Sequence, residues 1–191
     1  MLLKDLITKN KITKNLFKEL NQKILLHEVK GISSNSKEIK KDYIFVAIKG
    51  EKFDGADFIT EAEENGAFLT IAEKSYKKNV LFIKREKVRH IYTILLASFY
   101  SKQPKQIIGV TGTNGKTSTV EFCRQLWALA GWRSASMGTL GTKTETAVNK
   151  SIYKNSKENL TTFEPSDLYE NLKYLAHEKI SHLALEASSH G

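Results

Sequence analysis

A chain of 191 residues with 40% hydrophobic and 27% charged residues can bury a core as one large or two small domains, and its composition is that of an ordinary soluble protein. No stretch approaches the roughly 18–20 uninterrupted apolar residues that cross a bilayer, and Lys4 and Asp5 break the apolar start, so a cytoplasmic protein without a membrane partner is expected. Cys123 is the only cysteine, which excludes an intrachain disulfide or a cysteine-based metal cluster, and the formal charge of +9 is scattered as single and paired lysines without an aromatic platform, so no nucleic-acid partner is expected.

Strand-like apolar runs occupy residues 43–48, 67–71 and 80–83, with a short helical stretch near 59–65, which is α/β patterning. Val88, Ile91, Tyr92, Leu95, Leu96 and Phe99 recur at i, i+3, i+4, i+7, i+8 and i+11, the spacing of one amphipathic helix face. The polar segment 101–105 contains Pro104, which cannot donate an amide hydrogen bond, and places a domain boundary there, giving domains 1–103 and 104–191. The second domain opens with a strand at 106–110 and a glycine-rich turn. A helix follows with Val120, Cys123, Leu126, Trp127 and Ala130 on one face and Gly131 as its stop. A strand at 134–137, a long polar connection, a helix carrying Leu168, Leu172 and Leu175, and a strand at 182–187 continue the alternation expected of a parallel sheet with crossover helices.

The sharpest motif is Gly109-Val110-Thr111-Gly112-Thr113-Asn114-Gly115-Lys116-Thr117-Ser118, set between a strand and a helix. Glycines let backbone amides converge on phosphate oxygens, a helix N-terminus adds a positive dipole, Lys116 supplies a charge and the Thr117 hydroxyl suits magnesium. Gly112, Thr113, Asn114, Gly115, Lys116, Thr117 and Ser118 are therefore the expected nucleoside-triphosphate site. The common G-x4-G-K-[ST] pattern requires glycine at the position of Val110; the first glycine here is Gly112 or Gly109.

Residues 111–117 resemble the shortened nucleotide loop of the Mur ligases and of the folylpolyglutamate synthetases. Further segments resemble the MurE type of Mur ligase: Ser34-Asn35-Ser36-Lys37 with residues 42–50 and Phe53-Asp54-Gly55, then Met137-Gly138-Thr139-Leu140-Gly141 with Thr161-Thr162, then residues 185–191. Lys37 stands where that family usually has arginine, and Phe163 where proline is common. The resemblance implies a small UDP-substrate-binding α/β domain followed by the first part of a P-loop ATPase domain. It also implies ATP and Mg2+ as cofactors, and UDP-MurNAc-L-Ala-D-Glu and an amino acid, diaminopimelate or lysine, as partners. By position, Ser34, Ser36, Glu51, Lys52 and Phe53 would contact the UDP-sugar, and Thr161, Thr162 and Ser188 the MurNAc-peptide part. Thr117 and Glu186 would hold magnesium, and Lys116 and Glu186 would be the catalytic pair. Taken alone, the Ser-Asn-Ser-Lys string reads as a surface turn.

In that family the γ-phosphoryl group of ATP passes to a peptide carboxylate, and an amine displaces phosphate to form an amide. The resemblance also implies that a complete ligase continues through the rest of the ATPase domain and a third domain. The chain is accordingly expected to be an N-terminal portion with an incomplete central sheet, inactive without the remaining part. A MurF-type relative, and a binding module without catalysis, are the competing readings.

Overall fold

The N-terminal segment winds into three short helices, α1 (Leu3–Thr8), α2 (Lys11–Leu16) and α3 (Gln22–Leu25), before the first strand, β1 (Gly31–Ser33). The rest of the first unit comprises β2 (Tyr43–Val46), a 3-10 turn at Gly55–Phe58 leading into α4 (Ile59–Glu64), β3 (Ala67–Ala72), β4 (Val80–Phe82) and α5 (Arg85–Tyr100). These are the elements of Met1–Ser101, the first of two compact units; the second is Lys102–Gly191. The computed structural model describes residues 1–18, 20–50, 53–73, 80–82, 85–144 and 163–188.

The four strands of the first unit are all parallel, in the order β1-β2-β3-β4. Because successive strand residues point to opposite faces, Tyr43, Phe45 and Ala47 share one face, packed with Ile39, Ile59, Ala62 and Ala72 beneath α4, while Ile44 and Val46 are buried on the other. Helix α5 lies against β1 and β3 and buries the expected Val88, Ile91, Tyr92, Leu95 and Leu96; Phe99 is half-buried and meets Tyr100 edge-on. β2 ends at Val46 rather than Ile48, because the chain turns back there: Gly55 donates its amide to the Ile48 carbonyl and Lys49 bridges Asp54. Ile83 lies outside the described residues.

Asp42 pins the strand starts together. Its amide donates to Gly66, its carbonyl accepts from Lys30, and its carboxyl meets Lys30 Nζ at 2.7 Å and His27 Nε2 at 3.0 Å. Asp42 adopts φ of 70°, a left-handed conformation that aspartate tolerates better than most residues. The hydrogen bond from Lys30, followed by that from His27, holds its carboxyl below the ordinary aspartate range.

The second unit runs β5 (Gln106–Val110), α6 (Lys116–Leu129), β6 (Ser134–Gly138), β7 (Gly141–Thr144), α7 (Pro165–His177) and β8 (His182–Glu186). The sheet order is β5-β8-β6-β7, with β8 parallel to both neighbours and β7 antiparallel to β6. Antiparallel β7 was not among the sequence expectations. Its Gly-Thr-Lys-Thr is too short and polar to read as a strand, and it forms as the return arm of a hairpin closed at Gly138 and Gly141.

The two faces of this sheet differ in chemistry. Ala135, Met137, Leu183 and Leu185 point to one side and pack with Leu172, Leu175 and Ile180 around α7. The alternate residues, Ser134, Ser136, His182 and Glu186, face α6. Ser134 donates to the Arg124 carbonyl, Ser136 donates to the Glu121 carboxyl, and His182 touches Trp127 and stacks on Trp132 at 4.4 Å.

The expected face of α6 meets the sheet in part, with Cys123 half-buried beside it. Val120 is buried as expected and Trp127 half-buried, but Leu126 and Ala130 are exposed, Leu126 at 65%. The inward-facing helix positions include the Glu121–Arg124 ion pair, whereas Phe122, Leu126 and Leu129 look outward. Helical periodicity finds an apolar stripe but does not say which stripe meets the sheet.

Hydrogen bonds from Arg124, then from Gln125 and Ser136, hold the Glu121 carboxyl down to about 2 from its ordinary 4.5, against the opposing effect of burial. A depressed folded-state pKa contributes stability that is fully present above pH 4.5 and lost as pH falls toward about 2. Glu121→Gln is expected to destabilise the second unit by about 1–2 kcal/mol at neutral pH, the scale of a charge-assisted hydrogen bond in a partly screened site. The gap should close across that acidic window. Urea unfolding followed by tryptophan fluorescence reads this unit alone, since both tryptophans, Trp127 and Trp132, lie in it. A difference between the two proteins that does not change with pH would contradict the assignment.

Candidate phosphate-binding site

The loop between β5 and α6 has the geometry its glycines require. Gly112 adopts φ of 146° and Gly115 φ of 76°, both costly for residues with a Cβ. Of the two candidates for the loop's first glycine, Gly112 is the one with positive φ. Gly115 is the N-cap of α6 and no side chain caps that end, so the first-turn amides of Lys116, Thr117 and Ser118 are open to an anion. Thr113, Asn114 and Ser118 are exposed, and Lys116 and Thr117 are half-buried. Lys116 Nζ donates to the Gly112 carbonyl at 2.6 Å and to the Thr113 carbonyl at 3.4 Å, folding the cation over the loop.

Glu186 is brought to this loop by strand pairing. The parallel register sets Val110 beside Glu186, and the side-chain alternation of β8 turns Glu186 toward α6. Glu186 is 2% exposed, and its carboxyl accepts from Thr117 Oγ1 at 3.1 Å. It also accepts from the Thr139 amide and the Thr139 hydroxyl, each at 3.2 Å. A shallow recess beside it is lined by Thr117, Val120, Glu121, Ser136, Leu140 and Lys143. A hydroxyl and a carboxylate next to an open helix N-terminus are hard oxygen donors of the kind magnesium takes, with phosphate oxygens and water completing its shell. The residues present fit the ion. Among the described residues no group of three or more His, Cys, Asp or Glu forms a denser metal cluster.

In the first unit the expected substrate residues follow the C-terminal ends of parallel strands, where ligands of open α/β sheets bind. Ser34 directly follows β1 and is half-exposed, and Phe53, in the loop after β2, is 70% exposed with its ring edge-on to Phe58. Ser36 is placed differently. It is buried, its hydroxyl donates to Glu61 at 2.6 Å, and its carbonyl accepts from Asn65, so it holds the loop to α4. Ser188 is half-buried, two residues beyond β8. Glu51, Lys52, Thr161 and Thr162 lie outside the described residues, as do the last three residues, 189–191.

Sequence reasoning named Gly138 and Thr139 only as part of the resembling segment 137–141, and assigned no role to them, to Glu121 or to Ser136. The available signal was the alternation of serines in β6, which marks a strand face that meets polar groups. For Glu61 and Asn65, partners of Ser36 from far along the chain, the sequence holds no local signal.

Two family profiles match the chain in succession: "Mur ligase family, catalytic domain" at residues 28–102 and "Mur ligase middle domain" at residues 110–191. UDP-N-acetylmuramoyl-L-alanyl-D-glutamate--2,6-diaminopimelate ligase from Brucella melitensis biotype 1 is 40% identical over 167 residues, covering 86% of this chain and 33% of the relative. The protein of the same name from Rickettsia prowazekii is 41% identical over 175 residues, covering 90% and 35%. A solved structure of a ligase with this name superimposes with a TM-score of 0.72 at 25% identity, covering 93% of this chain and 36% of that one. The MurF ligase of Thermotoga maritima in complex with ADP gives a TM-score of 0.52 at 27% identity, covering 83% and 32%. The chain thus spans about a third of the length of these relatives. With both units matched in order and the loop, Lys116, Thr117 and Glu186 assembled in the second, the chain belongs to the Mur ligase family.

Proposed function

We propose that this chain provides the UDP-precursor-binding and ATP-binding parts of a cytoplasmic ligase that adds the third amino acid to UDP-MurNAc-L-Ala-D-Glu in peptidoglycan synthesis. The observation that carries the reading is the pairing of an open phosphate loop with a buried carboxylate 3.1 Å from the loop's threonine. The names of the relatives favour diaminopimelate over lysine as the added residue.

In this reading the amides of residues 112–118 hold the ATP phosphates, and Lys116 leaves the carbonyls of Gly112 and Thr113 for phosphate oxygens. Thr117 and Glu186 hold Mg2+, whose contribution when bound is to offset charge on the transferring γ-phosphoryl group. The peptide carboxylate attacks the γ-phosphorus, the bond to the β-phosphate oxygen breaks and ADP leaves, giving an acyl phosphate; the incoming amine attacks its carbonyl carbon, loses a proton and expels inorganic phosphate to leave the amide. No side chain has to act as nucleophile. Ser34 and Phe53, with Glu51 and Lys52, take the uridine diphosphate, and Ser36 acts through the loop it fastens to Glu61. Thr161, Thr162 and Ser188 take the MurNAc-peptide part.

Calorimetric titration of the 191-residue chain with Mg·ATP, and separately with UDP-MurNAc-L-Ala-D-Glu, tests both halves. Lys116→Ala is expected to weaken Mg·ATP by at least about tenfold, the loss of one charge-assisted hydrogen bond of about 1.5–3 kcal/mol, and to leave the UDP ligand's affinity unchanged. Unaltered ATP affinity in that variant would sink the loop assignment. Ser34→Ala is expected to weaken the UDP ligand alone; wild-type affinity there would remove Ser34 from the substrate residues.

A further inference from the structure

Glu186 has a second set of partners that the nucleotide loop does not supply. We propose that Thr139, in the tight turn between β6 and β7, is a positioning residue that fixes which oxygen of Glu186 faces Thr117. The role assigned to that oxygen rests on the cation site of the preceding reading.

The geometry begins with register. Met137 of β6 pairs with Leu185 of β8, so the next residues along, Gly138 and Glu186, are neighbours on the face that meets α6. A Cβ on Gly138 would fall 2.3 Å from both Cδ and Oε1 of Glu186, so only glycine leaves the carboxyl its place. Residue 139 then reaches the carboxyl with both of its donors. The Thr139 amide donates to Oε1 and the Thr139 hydroxyl donates to Oε2, each at 3.2 Å. Oε2 is also the oxygen that accepts from Thr117.

A glutamate carboxyl on its flexible stem would otherwise rotate and exchange its oxygens. Here a backbone amide engages one oxygen and two hydroxyls converge on the other. The turn that carries Thr139 is itself held by the Gly138–Gly141 pairing of the hairpin. Oε2 is therefore the oxygen presented at the N-terminus of α6. With a divalent cation bound, Thr117 and Glu186 would supply oxygen donors to it, and Thr139 would keep the carboxyl in place. Such outer partners typically set metal affinity by 10–100-fold.

The test uses the whole chain with Mn2+ as the probe, its binding followed by electron paramagnetic resonance in the presence of adenylyl imidodiphosphate. Thr139→Val keeps the shape and the amide but removes the hydroxyl; it is expected to weaken Mn2+ about tenfold. Thr139→Ser restores the hydroxyl and is expected to bind within about twofold of wild type. Gly138→Ala, which forces the carboxyl to move, should lose at least as much as Thr139→Val, and tryptophan fluorescence verifies that each variant is folded. Wild-type Mn2+ affinity in Thr139→Val, or a Thr139→Ser variant as weak as the valine, would overturn the proposal. Glu186→Gln separates the two claims. If it binds Mn2+ like wild type, the cation site itself falls; if it weakens while Thr139→Val does not, the site stands and only the positioning role fails.

Discussion

The carboxyl of a glutamate as buried as Glu186 has to have its oxygens satisfied, and the arrangement around it is the constraint on which the second unit turns. Its donors come from both sides: Thr117 at the start of α6 and Thr139 at the turn after β6. Satisfying it fixes the height of α6 relative to the sheet, because Thr117 reaches Oε2 only when the first turn of the helix sits level with the end of β8. It also fixes residue 138 as glycine. The polar contacts of Ser134 and Ser136 then continue along the same face as a row of hydrogen bonds into α6.

That row explains an otherwise odd helix. A face bearing serines, a histidine and a glutamate calls for partners that donate and accept. Glu121 answers Ser136, Arg124 neutralises Glu121 and gives its carbonyl to Ser134, and Trp127 with Trp132 encloses His182. Phe122, Leu126 and Leu129 are left on the outer surface. The opposite sheet face, built from Ala135, Met137, Leu183 and Leu185, packs around α7 in the ordinary hydrophobic way.

Strands and helices with strong period were legible from residues alone. The α5 stripe is buried where the spacing placed it, and β5 runs over the residues expected. Elements stabilised by distant partners were not legible. The helices α1 to α3 are four to six residues long, too short for a periodic signal, and α1 forms because Leu3, Leu6 and Ile7 are buried and the helix packs against α5. β7 exists only as a partner to β6. At the phosphate loop the glycine spacing could be read directly, since its conformational demand is local. The pairing of Glu186 with Thr117 depends on a parallel register between residues far apart in sequence, and the family resemblance supplied it before the strands did. The anchoring of Ser36 to Glu61 had no such guide.

Lys116 is tied to its own loop. The open N-terminus of α6 and the lysine are both positive features, and side by side they would repel each other and spread the loop. Folding Nζ onto the carbonyls of Gly112 and Thr113 places the cation against the negative ends of the loop's own peptide dipoles. The glycine at 112 permits the backbone turn that brings its carbonyl within reach, with φ of 146°. The same glycine that turns the loop therefore also supplies the carbonyl that holds the lysine.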